Sequence, residues 1–88
     1  MIERQATIVN PLGLHARPAA QLVKLATTFA ANVELVRDGS PVNGKSIMGV
    51  MMLAAEQGAV LVIRADGADE TPAVDALAAL IATGFGEL

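Results

Sequence analysis

Apolar and polar positions alternate from Ile2 to Val9, with Ile2, Ala6 and Ile8 on one face and Arg4 interrupting it, which predicts a half-buried strand. Asn10-Pro11-Leu12-Gly13 then breaks the alternation, because proline fixes φ and glycine admits a turn. From about Ala16 to Thr28 the period changes: Ala19, Leu22, Val23, Ala26 and Phe29 recur at three- and four-residue spacing, as on one face of a helix. Asn32 to Arg37 alternates again, and Asp38-Gly39 is a hairpin signal into a short strand near Ser40 to Asn43, where Pro41 implies a sheet edge. Ser46 to Ala54 reads as a short helix that Ser46 can cap. The β-branched run from Ala59 to Asp66 predicts a further strand. A last helix runs near Glu70 to Thr83, started by Asp69 or Thr71 with Pro72 in its first turn and ended by Gly84.

The order is β-α-β-β-α-β-α. Three helices can each bury an apolar face only against a common sheet, so the expected fold is α+β: an open-faced two-layer sandwich. Four mostly antiparallel strands would carry the helices on one face and leave the other partly solvated. At 88 residues the chain supports one core, a single domain over 1–88.

Composition narrows the function. Nine acidic against six basic residues give a net charge of −3, and aromatic residues make up 2%, which argues against nucleic-acid binding by phosphate neutralisation or base stacking. Without cysteine there is neither a disulfide framework nor a thiolate metal site. The N-terminus lacks the basic-then-apolar pattern of a signal peptide, and no apolar run approaches the roughly 20 residues that span a bilayer. A soluble cytoplasmic protein without membrane insertion is expected.

The stretch Gly13-Leu14-His15-Ala16-Arg17-Pro18 holds the only histidine. Four roles compete for it. A helix cap or packed surface residue would be inert. A metal ligand would want neighbouring His or Cys, and a hydrolytic base would want a nucleophile motif; neither is present. The fourth role is phosphoryl acceptance, and the local chemistry favours it. A helix beginning near Ala16 offers unpaired N–H groups and the positive end of its dipole, and Arg17 adds a planar, permanently charged donor. Pro18 fits the first helical turn. An imidazole also titrates near neutrality, which supplies a neutral nucleophile at working pH.

Two separate motifs, GLHARPAA and NGKSIMGVMML, make the chain resemble the HPr family of histidine phosphocarriers of the bacterial phosphoenolpyruvate-dependent phosphotransferase system. The resemblance covers the chain in length and element order. It implies a stoichiometric carrier, not an enzyme, that takes a phosphoryl group from phosphorylated enzyme I and passes it to an enzyme IIA domain. Position by position, it makes His15 the phosphoacceptor through Nδ1, Arg17 the residue that stabilises the phosphoryl group, and the Ala16 backbone N–H a further donor. No cofactor is implied, and a monomer is expected. A regulatory partner-binding protein without phosphoryl turnover is the alternative, but family members of that kind lack the histidine. The closing GFGEL is closer to nitrogen-related members of the family, whereas KSIMGVMML is closer to serine-regulated ones.

The second motif carries more apolar residues than one helix face can bury. Ile47, Met48 and Met51 match the family's partner-binding surface, while Val50 and Leu53 are expected in the core; flexible methionines suit docking to partners of different shape. In branches of the family with an HPr kinase/phosphorylase, the serine of this motif is a regulatory phosphorylation site. Ser46 matches it.

Overall fold

The structure is a computed structural model that describes all 88 residues, Met1–Leu88. In chain order its elements are β1 (Ile2–Thr7), α1 (Ala16–Ala26), β2 (Asn32–Arg37), β3 (Ser40–Asn43), α2 (Ile47–Met52), β4 (Val60–Asp66) and α3 (Glu70–Ala82). One turn of 3₁₀ helix, Gly84–Gly86, follows. The strands form a single sheet in the order β1-β4-β2-β3, and every neighbouring pair is antiparallel. This is the expected open-faced sandwich, with Pro41 on the edge strand as its missing donor requires.

Register explains the burial. Leu35 lies opposite Ile63, and Val33 opposite Ala65, so their side chains share the helix-side face; all four are buried, as is Leu61 one pleat along. Leu22 of α1, Val50 of α2, and Val74, Leu77 and Ile81 of α3 close over them. On the open face Arg64 of β4 spans three strands, donating to Glu3 at 2.8 Å and to Glu34 at 3.2 Å. Arg4, which interrupts the apolar face of β1, shares the side of Ile63. At the sheet edge it stays exposed and pairs with Asp75 of α3 at 2.6 Å, so the interruption is an ion pair at the rim of the core.

Several ends differ from the sequence expectation by a residue or two. α1 stops at Ala26, where the hydroxyls of Thr27 and Thr28 donate back to the carbonyls of Lys24 and Leu25. β1 stops at Thr7, but Ile8 remains fully buried and exchanges backbone hydrogen bonds with Gly58 and Ala59. α2 ends at Met52; Ala54 adopts φ 48°, and the guanidinium of Arg37 donates to the carbonyls of Leu53 and Ala54. Asp69 stands at the N-cap of α3 yet does not cap it. Its two carboxylate oxygens accept the N–H groups of Ala30 and Ala31, each at 2.8 Å, tying the α1–β2 connection to the start of α3. Those backbone bonds, the one from Ala30 foremost, hold the carboxyl below its ordinary range.

The loop before α1 lies against the α2–β4 connection. Leu14 donates its N–H to the carbonyl of Ala55 at 2.8 Å, and Gly13 sits at φ +69°, where a Cβ would come within 2.4 Å of that same oxygen. Only glycine meets both conditions. Gly13→Ala therefore combines left-handed strain of about 1–3 kcal/mol with a backbone clash. Thermal melts should fall by at least about 4 °C, and amide exchange at Leu14 should accelerate. An unchanged melt would mean that the loop reaches its position without this contact.

Candidate functional site

His15 occupies the N-cap position of α1 with extended backbone, φ −76° and ψ −175°, and its carbonyl accepts the N–H of Ala19 at 3.0 Å. Its side chain makes no capping bond, so the inert cap role does not apply. The imidazole turns instead to the other end of the chain. Nε2 lies 3.1 and 3.0 Å from the two carboxylate oxygens of Glu87, a residue 72 positions away. The histidine side chain remains about a third exposed, 36%, so an approaching partner can reach it.

Glu87 is delivered by the turn after α3. Gly84, Phe85 and Gly86 all adopt positive φ, 67°, 57° and 74°, folding the chain back, while Phe85 is buried in the core. Asn10, fully buried, completes the link: its Nδ2 donates to the carbonyl of Gly13 at 2.8 Å and to Oε1 of Glu87 at 2.9 Å. The carboxyl of Glu87 is held below the usual carboxylate range. The hydrogen bond from His15 is the main cause, the bond from Asn10 and the nearby charges of His15 and Arg17 add to it, and desolvation opposes it.

An ionised carboxylate accepts hydrogen bonds and donates none, so Nε2 of His15 must be the donor. The neutral ring is thereby fixed as the Nε2–H tautomer, with its lone pair on Nδ1. Beside that ring the backbone N–H groups of Ala16 and Arg17, at the first two positions of α1, have no intrahelical acceptor, and Pro18 has no N–H to satisfy. The Arg17 side chain is exposed in the same turn. A nucleophilic nitrogen, two free backbone donors and a guanidinium thus meet at one helix start. Such a set suits a tetrahedral dianion.

Ser46 caps α2 by accepting the N–H of Gly49 at 3.1 Å. Val50 and Leu53 are buried; Ile47, Met48 and Met51 are exposed, together with Met52 and, in the loop before His15, Leu12. The division of α2 into buried and exposed residues is the one its sequence suggests. Asn10 and Glu87 were not predicted from the sequence. Asn10 read as a turn residue, and the signal at the far end was a phenylalanine between two glycines after a helix stop, a pattern that turns the chain back but does not say toward what.

Residues 2–83 match the family model described as the PTS HPr component phosphorylation site. The chain belongs to the HPr phosphocarrier family. It is 54% identical over 99% of its length to the phosphocarrier protein HPr of Cupriavidus necator, of which it covers 98%. Among solved structures, HPr from Thermoanaerobacter tengcongensis superposes with a TM-score of 0.96 at 45% identity, covering 100% of this chain and 99% of that one. An HPr dimer from the same organism gives a TM-score of 0.79 at 46% identity, covering 99% of this chain and all of that one. HPr is a carrier of the phosphotransferase system, and no helix of this member is long and apolar enough to cross a membrane.

The lowered carboxyl of Glu87 has a consequence for stability. A group whose folded pKa is depressed stabilises the fold above its unfolded pKa, and that contribution is lost as pH falls through the folded value. Glu87→Gln cannot ionise. The melting-temperature advantage of the wild type over this variant should be present in full above the ordinary carboxylate range, from about pH 5 up, and shrink as pH falls toward about pH 3; a gap independent of pH would show that the carboxylate charge does not hold the tail.

Proposed function

We propose that this protein carries a phosphoryl group on Nδ1 of His15, taking it from phospho-enzyme I and giving it to an enzyme IIA domain. The observation that carries the reading is the pairing of Nε2 with Glu87, which leaves Nδ1 as the free nucleophile at an open helix start. In the forward step the Nδ1 lone pair attacks phosphorus and a P–N bond forms. The donor's bond to phosphorus breaks, its electron pair leaving with the donor, and the Nε2 proton stays between the ring and Glu87. Delivery to enzyme IIA reverses this, so the protein ends each cycle unchanged and serves as a stoichiometric cytoplasmic carrier. We propose a working monomer.

Arg17 and the first-turn N–H groups of Ala16 and Arg17 receive the phosphoryl oxygens. The donors are few and open to solvent, which suits a group that must be held briefly and released. Ile47, Met48 and Met51 form the docking surface, with methionines that repack against differently shaped partners. Incubation with phosphoenolpyruvate and enzyme I, read by intact mass, tests the assignment. Wild type should gain one acid-labile phosphoryl group, and His15→Ala, which keeps the fold while losing the Glu87 contact, should gain none; a phosphorylated variant would move the acceptor elsewhere. Arg17→Ala should slow single-turnover transfer by about 10- to 100-fold, the loss of one charge-assisted contact of roughly 1.5–3 kcal/mol. Unchanged kinetics would take Arg17 out of the step.

Ser46 is proposed as the regulatory site. A phosphate there adds about −1.5 to −2 charge at pH 7. The start of α2 tolerates negative charge, whereas the exposed apolar residues beside it must meet a partner with that charge desolvated or opposed. Ser46→Asp should keep or raise the melting temperature and slow phosphorylation of His15 by enzyme I, mainly through weaker binding. Equal rates for variant and wild type at low and moderate salt would leave Ser46 as a helix cap alone.

A further inference from the structure

We propose that Asn10 is a positioning residue for phosphoryl transfer: through Glu87 it holds the His15 ring in one tautomer and thereby sets how readily the P–N bond gives up its phosphoryl group. The inference rests on the phosphocarrier reading and extends it to two residues, one of which, Glu87, lies beyond the residues 2–83 that the family model matches.

Three observations support it. Asn10 is fully buried, and both hydrogens of its amide are used, one on the Gly13 carbonyl and one on Oε1 of Glu87. Both partners are acceptors, so the amide has only one workable orientation. The Gly13 carbonyl also accepts the backbone N–H of His15 at 2.9 Å. One side chain therefore fixes the backbone of His15, through Gly13, and the partner of its ring, through Glu87. Finally, Oδ1 of Asn10 is buried with no hydrogen-bond partner. Burying an acceptor without a donor is unfavourable, and an apolar residue would fill the space without that cost. What the amide supplies in exchange is its two donors.

The chemistry follows from where the Nε2 proton is held. When the phosphoryl group departs to an acceptor, the P–N electron pair returns to Nδ1. With Nε2 protonated, the ring leaves as neutral imidazole and no proton has to move. If Glu87 swings away, the Nε2 proton is more easily lost to solvent, and the ring must then leave as an imidazolate, a far poorer leaving group. The charged group on the ring is Glu87 from the tail, and Arg17 of α1 is near enough to act on that carboxylate. Glu56, in the connection behind Gly13, has its carboxylate engaged by Arg37 at 2.7 Å.

The test uses the whole protein with Asn10→Leu, close in size, and Asn10→Ala as a second variant should the first fail to fold. ¹⁵N spectra of the His15 ring in the unphosphorylated protein report the tautomer without any transfer reaction. The rate of phosphoryl loss from the phosphorylated protein, followed from pH 6 to pH 9, reports the leaving group. Wild type should show the Nε2–H tautomer. The Asn10 variants should show a mixture and lose phosphoryl more slowly above neutrality, by about three- to tenfold, less than the loss of a direct charge-assisted contact because Asn10 acts on the ring through Glu87. Glu87→Ala should do the same, and the Asn10→Ala/Glu87→Ala double variant should shift the tautomer no further than Glu87→Ala alone, since both reach Nε2 through one bond. A folded Asn10 variant with the wild-type tautomer and pH profile, or additive effects in the double variant, would overturn the proposal. If neither Asn10 variant folds, a wild-type tautomer in Glu87→Ala would do so as well. Failure of the wild type to accept phosphoryl from enzyme I would instead overturn the carrier reading, with the tautomer measurement still deciding this one.

Discussion

Gly13 and the Ala55 carbonyl meet closely enough that no side chain fits between them, and the site is arranged around that contact. Leu14 spends its N–H on the same carbonyl, so the chain enters α1 at a fixed height above the α2–β4 connection. His15 follows one residue later and has little choice of where to stand. The exposed face of α2 belongs to the same packed unit, because α1 and α2 pack against each other. A nucleophile on a surface loop would ordinarily be mobile. Here the backbone of His15 is held by its neighbours' contacts to a distant segment, and the ring by Glu87 through Nε2 alone.

The distribution of charge separates three arginines tied to carboxylates from one that is not. Of the four arginines, Arg4 is tied to Asp75, Arg37 to Glu56 and the end of α2, and Arg64 to Glu3 and Glu34. Surface pairs of this kind contribute little individually, but they take those guanidinium groups out of circulation. Arg17 has no such carboxylate partner, and the acidic group nearest its influence, Glu87, is occupied by His15 and Asn10. An arginine without a structural partner is the one available to an incoming anion.

Much of this was legible in the chain. Alternation marked the strands because each buries one face, and the Asp38-Gly39 turn was recognisable because both residues tolerate the positive φ, 51° and 79°, that they adopt. Ser46 was readable as a cap because capping is local. What escaped was non-local. Asp69 looked like a cap for its own helix but serves Ala30 and Ala31, about forty residues away in sequence and adjacent only in the folded sheet layer. Arg4 looked like an error in an apolar face until α3 brought Asp75 beside it. Nothing local pairs Asn10 with Glu87, since their partnership exists only once Phe85 is buried and the chain has turned back on itself.

The tail that presents Glu87 is fastened lightly. Beyond α3 it is held by the burial of Phe85, by short-range bonds from Gly86 to the Thr83 carbonyl and from Glu87 to the Gly84 carbonyl, and by the Glu87 carboxylate on Asn10 and His15, whereas the sheet is cross-linked along three strand pairs. Segments secured in this way open locally at lower free energy than the whole domain unfolds. The molecule therefore has two thresholds. Opening of the tail alone would part the imidazole from its carboxylate and leave the sheet and helices in place. The carboxylate that meets the imidazole thus sits where a chain first frays, on the segment with the fewest ties to the sheet.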